Sequence, residues 1–148
     1  MKSNFTSTIK RLVGYLISGL MMALPLTACS ERVMNLDVSI YNYWPRAIND
    51  VVVNGQYAGG AFMAYHPGGA GGSAVCCVKV KPGSITIEYS LGGPEGASRL
   101  GEKIRATTVL KGIPSDAKVL TVHVYPNGTI SAEASAEYVD ERPQPESQ

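Results

Sequence analysis

Asn35-Leu36-Asp37-Val38-Ser39-Ile40-Tyr41-Asn42 alternates without a break, with Leu36, Val38 and Ile40 on one side and Asp37, Ser39 and Tyr41 on the other. A period of two marks a half-buried β-strand, because successive side chains leave a strand on opposite faces. The same reading extends along the chain. Ile48 to Val53 is rich in β-branched residues and stops at Asn54-Gly55, where both residues tolerate positive φ. A hairpin is predicted there, with Gln56 to Phe62 as the returning strand, weakened by Gly59 and Gly60. Ala74 to Lys81 reads as a strand ended by Pro82-Gly83, and Ser84 to Ser90 alternates Ile85, Ile87 and Tyr89 against Thr86 and Glu88. Ile104 to Leu110 follows, and Ala117 to Tyr125 and Thr129 to Tyr138 flank Pro126-Asn127-Gly128 as a closing hairpin. No segment carries a helical period, and no fixed-length repeat suggests a solenoid. About seven short strands separated by turn signals predict an all-β fold, a compact antiparallel β-sandwich or partly open barrel.

Composition agrees with one such domain. The chain has 148 residues, 45% of them hydrophobic, with 13 Lys plus Arg against 12 Asp plus Glu, which excludes wholesale disorder and a polybasic nucleic-acid binder. Only 17% of residues are charged while 16 are Gly and 9 are Pro, favouring strands and loops over long charge-laced helices.

The N-terminus reads as an address. Lys2, Lys10 and Arg11 precede an uncharged, mostly apolar run from Leu12 to Leu26, the basic and hydrophobic regions of a signal peptide. The run is 15 residues long, short of the roughly 20 that a spanning helix needs. Leu26-Thr27-Ala28-Cys29 resembles a bacterial lipobox, which predicts cleavage before Cys29 and lipidation of that residue. Several acyl chains give stable anchoring where one would be marginal. Ser30 rather than Asp after the cysteine points, by analogy with lipoprotein sorting, to the outer membrane, with the domain facing the periplasm. Removing Lys2, Lys10 and Arg11 leaves 10 basic and 12 acidic residues, a net charge of −2, so neither nucleic acid nor anionic head groups are favoured by charge. The predicted organisation is a signal peptide over 1–28, a lipidated tether over 29–35, a β domain over 36–139 and a disordered tail over 140–148. That tail has two prolines and no aliphatic residue.

With Cys29 assigned to lipid, the adjacent pair Cys76 and Cys77 remains, either as a vicinal disulfide or as two packed thiols on opposite strand faces. Neither a metal nor a cofactor is expected, since a structural zinc site wants four ligands at motif spacing and the two histidines are isolated. Catalytic patterns are weak throughout. Gly71-Gly72-Ser73-Ala74-Val75 fails the nucleophile-elbow pattern at its last position, and His66 as a base for Ser73 lacks an orienting acid. The glycine run from Gly68 to Gly72 is not followed by the Lys and Ser/Thr of a phosphate loop. His123 is in phase with Thr121 and Tyr125 and out of phase with Leu120, Val122 and Val124, which predicts a ring facing solvent or a side-chain hydrogen bond. Glu133 and Glu137 fall in phase with Ser131 and Ser135 on an expected solvated face. Tyr41, Tyr43, Trp44 and Tyr57 cluster around the first hairpin, as a binding surface or as a plug for the end of the sandwich.

Asn42-Tyr43, Val53-Asn54-Gly55, Gly59-Gly60, the glycine loop leading into Cys76-Cys77-Val78, Lys81-Pro82-Gly83 and Val122-His123-Val124-Tyr125-Pro126-Asn127-Gly128 line up with the lipobox. Together they resemble a family of Gram-negative lipoproteins carrying a domain of unknown function, often encoded beside phospholipase effectors of the type VI secretion system. The resemblance spans Leu36 to Ile130 and departs at Val80-Lys81-Pro82-Gly83, where the family tends to carry a Trp. It implies a membrane-anchored, non-enzymatic immunity protein that binds and blocks an incoming phospholipase. The expected partner surface is the glycine loop with neighbouring aromatics: Tyr43, Trp44, His66, Gly69 and Gly71. The alternative is a structural or assembly lipoprotein of the envelope with no toxin partner.

Overall fold

Nine strands in two sheets form a β-sandwich that does not close into a barrel. The computed structural model describes residues 32–66 and 74–142. The strands are β1 (Met34–Asn42), β2 (Ile48–Val53), β3 (Gln56–Tyr57), β4 (Ala61–Phe62), β5 (Ala74–Val80), β6 (Gly83–Leu91), β7 (Lys103–Leu110), β8 (Val119–Val124) and β9 (Ile130–Ser135). One sheet runs β5-β1-β8-β9, and the other runs β3-β2-β6-β7 with β4 also pairing β2. The predicted signal peptide, Cys29, Gly69, Gly71 and Ser73 all lie outside the described residues.

The alternating positions do what their period requires. Leu36, Val38 and Ile40 of β1, Val78 and Val80 of β5, and Leu120, Val122 and Val124 of β8 form one inner face. Ile48, Val51 and Val53 of β2, Ile85, Ile87, Tyr89 and Leu91 of β6, and Leu110 of β7 form the other. Each such aliphatic side chain contributes roughly 1.5–3 kcal/mol by leaving water, so this inner layer is the main source of stability. The turns follow their residues: Asn54 and Gly55 take φ of 47° and 77°, the two positive values that a tight β2–β3 hairpin demands. Asn127 caps the β8–β9 turn through its side-chain oxygen, which accepts from Thr129 N at 2.9 Å.

Two expectations need correction. The sandwich is not wholly antiparallel, because β1 pairs β8 in parallel from Asp37↔Val119 to Asn42↔Val124. Alternation cannot reveal this, since parallel and antiparallel neighbours share the same period. The eight segments read as strands in the sequence, counted as about seven, become nine among the described residues because the predicted Gln56 to Phe62 strand breaks in two. Gly59 adopts φ of 131° with the Phe62 ring 2.6 Å from where a Cβ would stand, so only glycine fits between β3 and β4. Gly59 and Gly60 there accept from Val51 N and Asp50 N, opposite a bulge in β2 where Asp50 turns to φ of 49°.

Asn42 secures the end of β1. Its Nδ2 donates to Met63 O at 2.7 Å and Arg46 O at 2.9 Å, with Phe62 O at 3.3 Å, and its Oδ1 accepts from Trp44 N at 3.0 Å. The side chain is buried, so each of these backbone groups would otherwise face a dry interior. Replacing Asn42 with Ala is expected to cost about 2–4 kcal/mol in urea unfolding, because several buried backbone groups lose their partner at once. Asn42→Asp keeps the acceptor but not the donors and should fare little better. A loss in Asn42→Ala below about 1 kcal/mol would show that the backbone finds other partners.

Candidate functional site

The outer face of the β5-β1-β8-β9 sheet holds a buried polar relay. β8 is central, and all six of its residues are buried, including Thr121 and His123. Of the two expectations for His123, solvent or a side-chain hydrogen bond, the structure shows the second: the buried ring bonds the Tyr43 hydroxyl and lies under the segment that follows β9. That segment, part of which was expected to be a disordered tail from Asp140, lies against the sheet as far as Arg142. Val139 O accepts from the Tyr41 hydroxyl at 2.8 Å, and Arg142 N donates to the Tyr43 hydroxyl at 2.9 Å. The Arg142 guanidinium donates to Glu133 and to Ser131 Oγ, so Glu133 is half-buried in an ion pair rather than on a freely solvated face.

Tyr43 accepts from Arg142 N and shares a hydrogen bond of 3.0 Å with His123 Nδ1. On the other side of the ring, Nε2 faces Glu133 Oε1 at 3.5 Å. The Tyr43 hydroxyl stays protonated because burial pushes its pKa up to about 12. Rings stack around the relay: Tyr41 on His123 with centroids 5.3 Å apart, and Tyr43 on Tyr125 at 5.0 Å. Tyrosine, imidazole and carboxylate in line resemble a proton relay. Their geometry instead ties the C-terminal segment to the sheet, since Arg142 bonds Tyr43 and Glu133 of this group and Ser131 beside them on β9.

The residues expected to bind a partner are dispersed by the fold. Tyr43 is 0% exposed and Trp44 9%: Tyr43 lies within the relay and Trp44 packs on the core, so neither presents its ring to a partner. Trp44 is further covered by the Arg99 guanidinium, 6.0 Å from its ring centre. His66 is exposed at the end of the stretch after β4. On the edge of the β3-β2-β6-β7 sheet that leads to His66, two large apolar side chains stand in solvent: Tyr57, 61% exposed, and Met63, 68% exposed. Tyr57 belonged to the aromatic cluster visible in the sequence. Met63 escaped notice, because an isolated methionine beside a short strand carries no periodic signal.

The opposite side of the sandwich is open. Between β7 and β9, each the outermost strand of its sheet, runs a groove of about 700 Å³ lined by Thr108, Val109, Ile113, Ala132, Ala134 and Arg142 among others. On the closed side the Gln56 side chain stitches the sheets together, donating to Lys79 O and accepting from Lys79 N, both at 2.9 Å.

Cys76 and Cys77 are joined as a vicinal disulfide across a cis peptide bond, and the Cys77 sulfur lies 3.4 Å from Asp37 Oδ1. Asp37 was read only as an outward residue of the first strand. Its partnership with the cysteines depends on cross-strand register, which a single strand pattern does not contain.

The relay generates a pH dependence. Burial, and next the Arg142 guanidinium, hold the His123 pKa below its ordinary 6.5, against an opposing pull from Glu133. As pH falls the unfolded chain takes up this proton before the folded protein does, so stability from this group is whole above about pH 6.5 and is lost below it. Thermal unfolding between about pH 7.5 and about pH 5 should show a steeper loss in the natural protein than in His123→Gln. Parallel curves would mean that the ring charges as easily folded as unfolded.

No family model matches the chain, and no curated protein or solved structure matches it either, so the functional reading rests on its own residues.

Proposed function

We propose that the protein is a lipid-anchored binding module of the Gram-negative envelope that acts as an immunity protein, holding a type VI phospholipase effector at an exposed edge of its sandwich. The observation that carries the binding role is that Tyr57 and Met63 are both exposed, towards opposite ends of the edge that β3 and β4 form along β2, with exposed His66 following Met63. Aromatic residues and methionine are enriched where proteins meet, since they bury large areas at modest entropic cost. The lipobox at Leu26-Thr27-Ala28-Cys29 supports the anchored location, and the resemblance to lipoproteins encoded beside phospholipase effectors supports the kind of partner. The partner surface of this reading is Tyr57, Met63 and His66 with the glycine loop, in place of Tyr43 and Trp44.

Contact competition tests the function directly. A strain deleted for this gene should be killed on a solid surface by the parent, and killing should stop when the parent's secretion system is disabled. Undiminished survival, with secretion shown to be active, would move the protein to envelope assembly. At the level of residues, Tyr57→Asp and Met63→Asp should each weaken binding to the effector by at least about tenfold, equivalent to about 1.4 kcal/mol. Their melting temperatures should stay unchanged because both side chains stand in solvent. Binding that survives the double substitution would remove this edge as the partner surface.

A further inference from the structure

The ladder between β1 and β5 slips by one residue. Leu36 pairs with Val78 and Val38 with Val75, so Asp37 alone stands opposite Cys76 and Cys77. A β-bulge of this kind puts two residues against one and re-aims their side chains. Neighbouring cysteines that a regular strand would send to opposite faces are here brought to one carboxylate. A carboxylate oxygen of Asp37 and the two sulfurs all lie within 4.8 Å of one another, the only such group of ligating side chains found among the described residues. β5 is the outermost strand of its sheet, and Cys76 is exposed, so the trio opens to solvent.

A disulfide sulfur has no proton to give. The 3.4 Å contact between Cys77 Sγ and Asp37 Oδ1 is therefore a hydrogen bond only when the cysteines are reduced, and a shared coordination sphere when a cation lies between them. We propose that the reduced Cys76–Cys77 pair and Asp37 form a three-ligand site for one thiophilic divalent cation of the zinc class, closed off when the two sulfurs are joined. The proposal stands apart from the immunity reading, since it uses neither Tyr57 nor Met63.

The chemistry balances with a small-molecule or protein dithiol as reductant. The dithiol gives two electrons and two protons to the Cys76–Cys77 bond and is itself oxidised to a disulfide. The sulfur–sulfur bond breaks and two S–H bonds form. The entering cation displaces both thiol protons to solvent, making two metal–sulfur bonds and one metal–oxygen bond to Asp37. Thiolates select soft and borderline cations over Mg2+ or Ca2+. Three protein ligands leave a fourth position for water, and the exposed edge gives water access. Two thiolates and a carboxylate more than neutralise a divalent cation, so the bound site carries a net negative charge.

Cadmium reports on such a site because its thiolate complexes absorb in the ultraviolet. The full chain carrying Cys29→Ser, held in detergent, is reduced with a dithiol, freed of it without air, and titrated with Cd2+. The expected result is a charge-transfer band that saturates at a single Cd2+ per chain and is displaced by Zn2+. The band should be absent from the oxidised protein and lost in Cys76→Ser and in Cys77→Ser. Asp37→Asn should keep the band and weaken affinity. Trp44, the single tryptophan and buried, reports through its emission that the reduced and substituted proteins remain folded. A folded, reduced protein without the band overturns the proposal. So does saturation at half a cation per chain, or an unchanged affinity in Asp37→Asn.

Discussion

The parallel pairing of β1 with β8 is the contact on which the rest of the molecule depends. It joins segments about eighty residues apart, from Asp37↔Val119 to Asn42↔Val124, and so carries a large loop-closure cost before any reward. It also places β1 and β8 in the middle of their sheet, each with hydrogen-bonded neighbours on both sides. Central strands have two faces to dispose of. The inner faces meet the second sheet. The outer face, with Tyr41, Thr121 and His123, needs a cover of its own, and the chain supplies it after β9. The relay through Tyr43, His123, Glu133 and Arg142 follows from topology in this sense: it pairs part of a polar outer face once a backbone segment lies across it, while Thr121 Oγ1 and His123 Nε2 stay buried without a hydrogen bond.

This explains why some residues were legible in the sequence and others were not. Strand positions were legible because alternation is a local property, and Leu36, Val38, Ile40, Ile85 and Ile87 went where their period sends them. The Asn54-Gly55 turn was legible because its φ values are set by two residues alone. His123 was placed on the correct face, out of phase with Leu120, Val122 and Val124, with solvent or a side-chain hydrogen bond as its two outcomes, and the fold takes the second. Phase reports the side of a strand and says nothing of what the chain later lays over it. Tyr43 and Trp44 misled for the same reason, since a cluster of aromatics looks alike whether it is buried in the fold or greets a partner. The bulge at Cys76 and Cys77 was out of reach, because it exists only as a mismatch between two strands.

The two sides of the sandwich are finished differently, and the difference bears on where a partner would dock. Between β3 and β5 the Gln56 amide imitates a strand neighbour, bonding both the N–H and the C=O of Lys79. A side chain that satisfies backbone groups in this way protects an edge from pairing with another chain. Between β7 and β9 no such stitch closes the groove, but β7 carries Lys103 and Arg105 along its exposed positions, and charged edges discourage strand addition. Neither side therefore invites a partner through its backbone. Recognition falls to side chains, and on the stitched side Tyr57 stands next to Gln56 itself, held in place by the residue that seals the edge.

That arrangement also separates the disulfide from the bulk of the core. Val78 and Val80, the β5 residues that pack inward, lie beyond the bulge, while Cys76 and Cys77 occupy the bulge itself at the edge. A change in the bond between the sulfurs is felt first by Asp37 and by the backbone on either side of the bulge, and only through them by the inner layer.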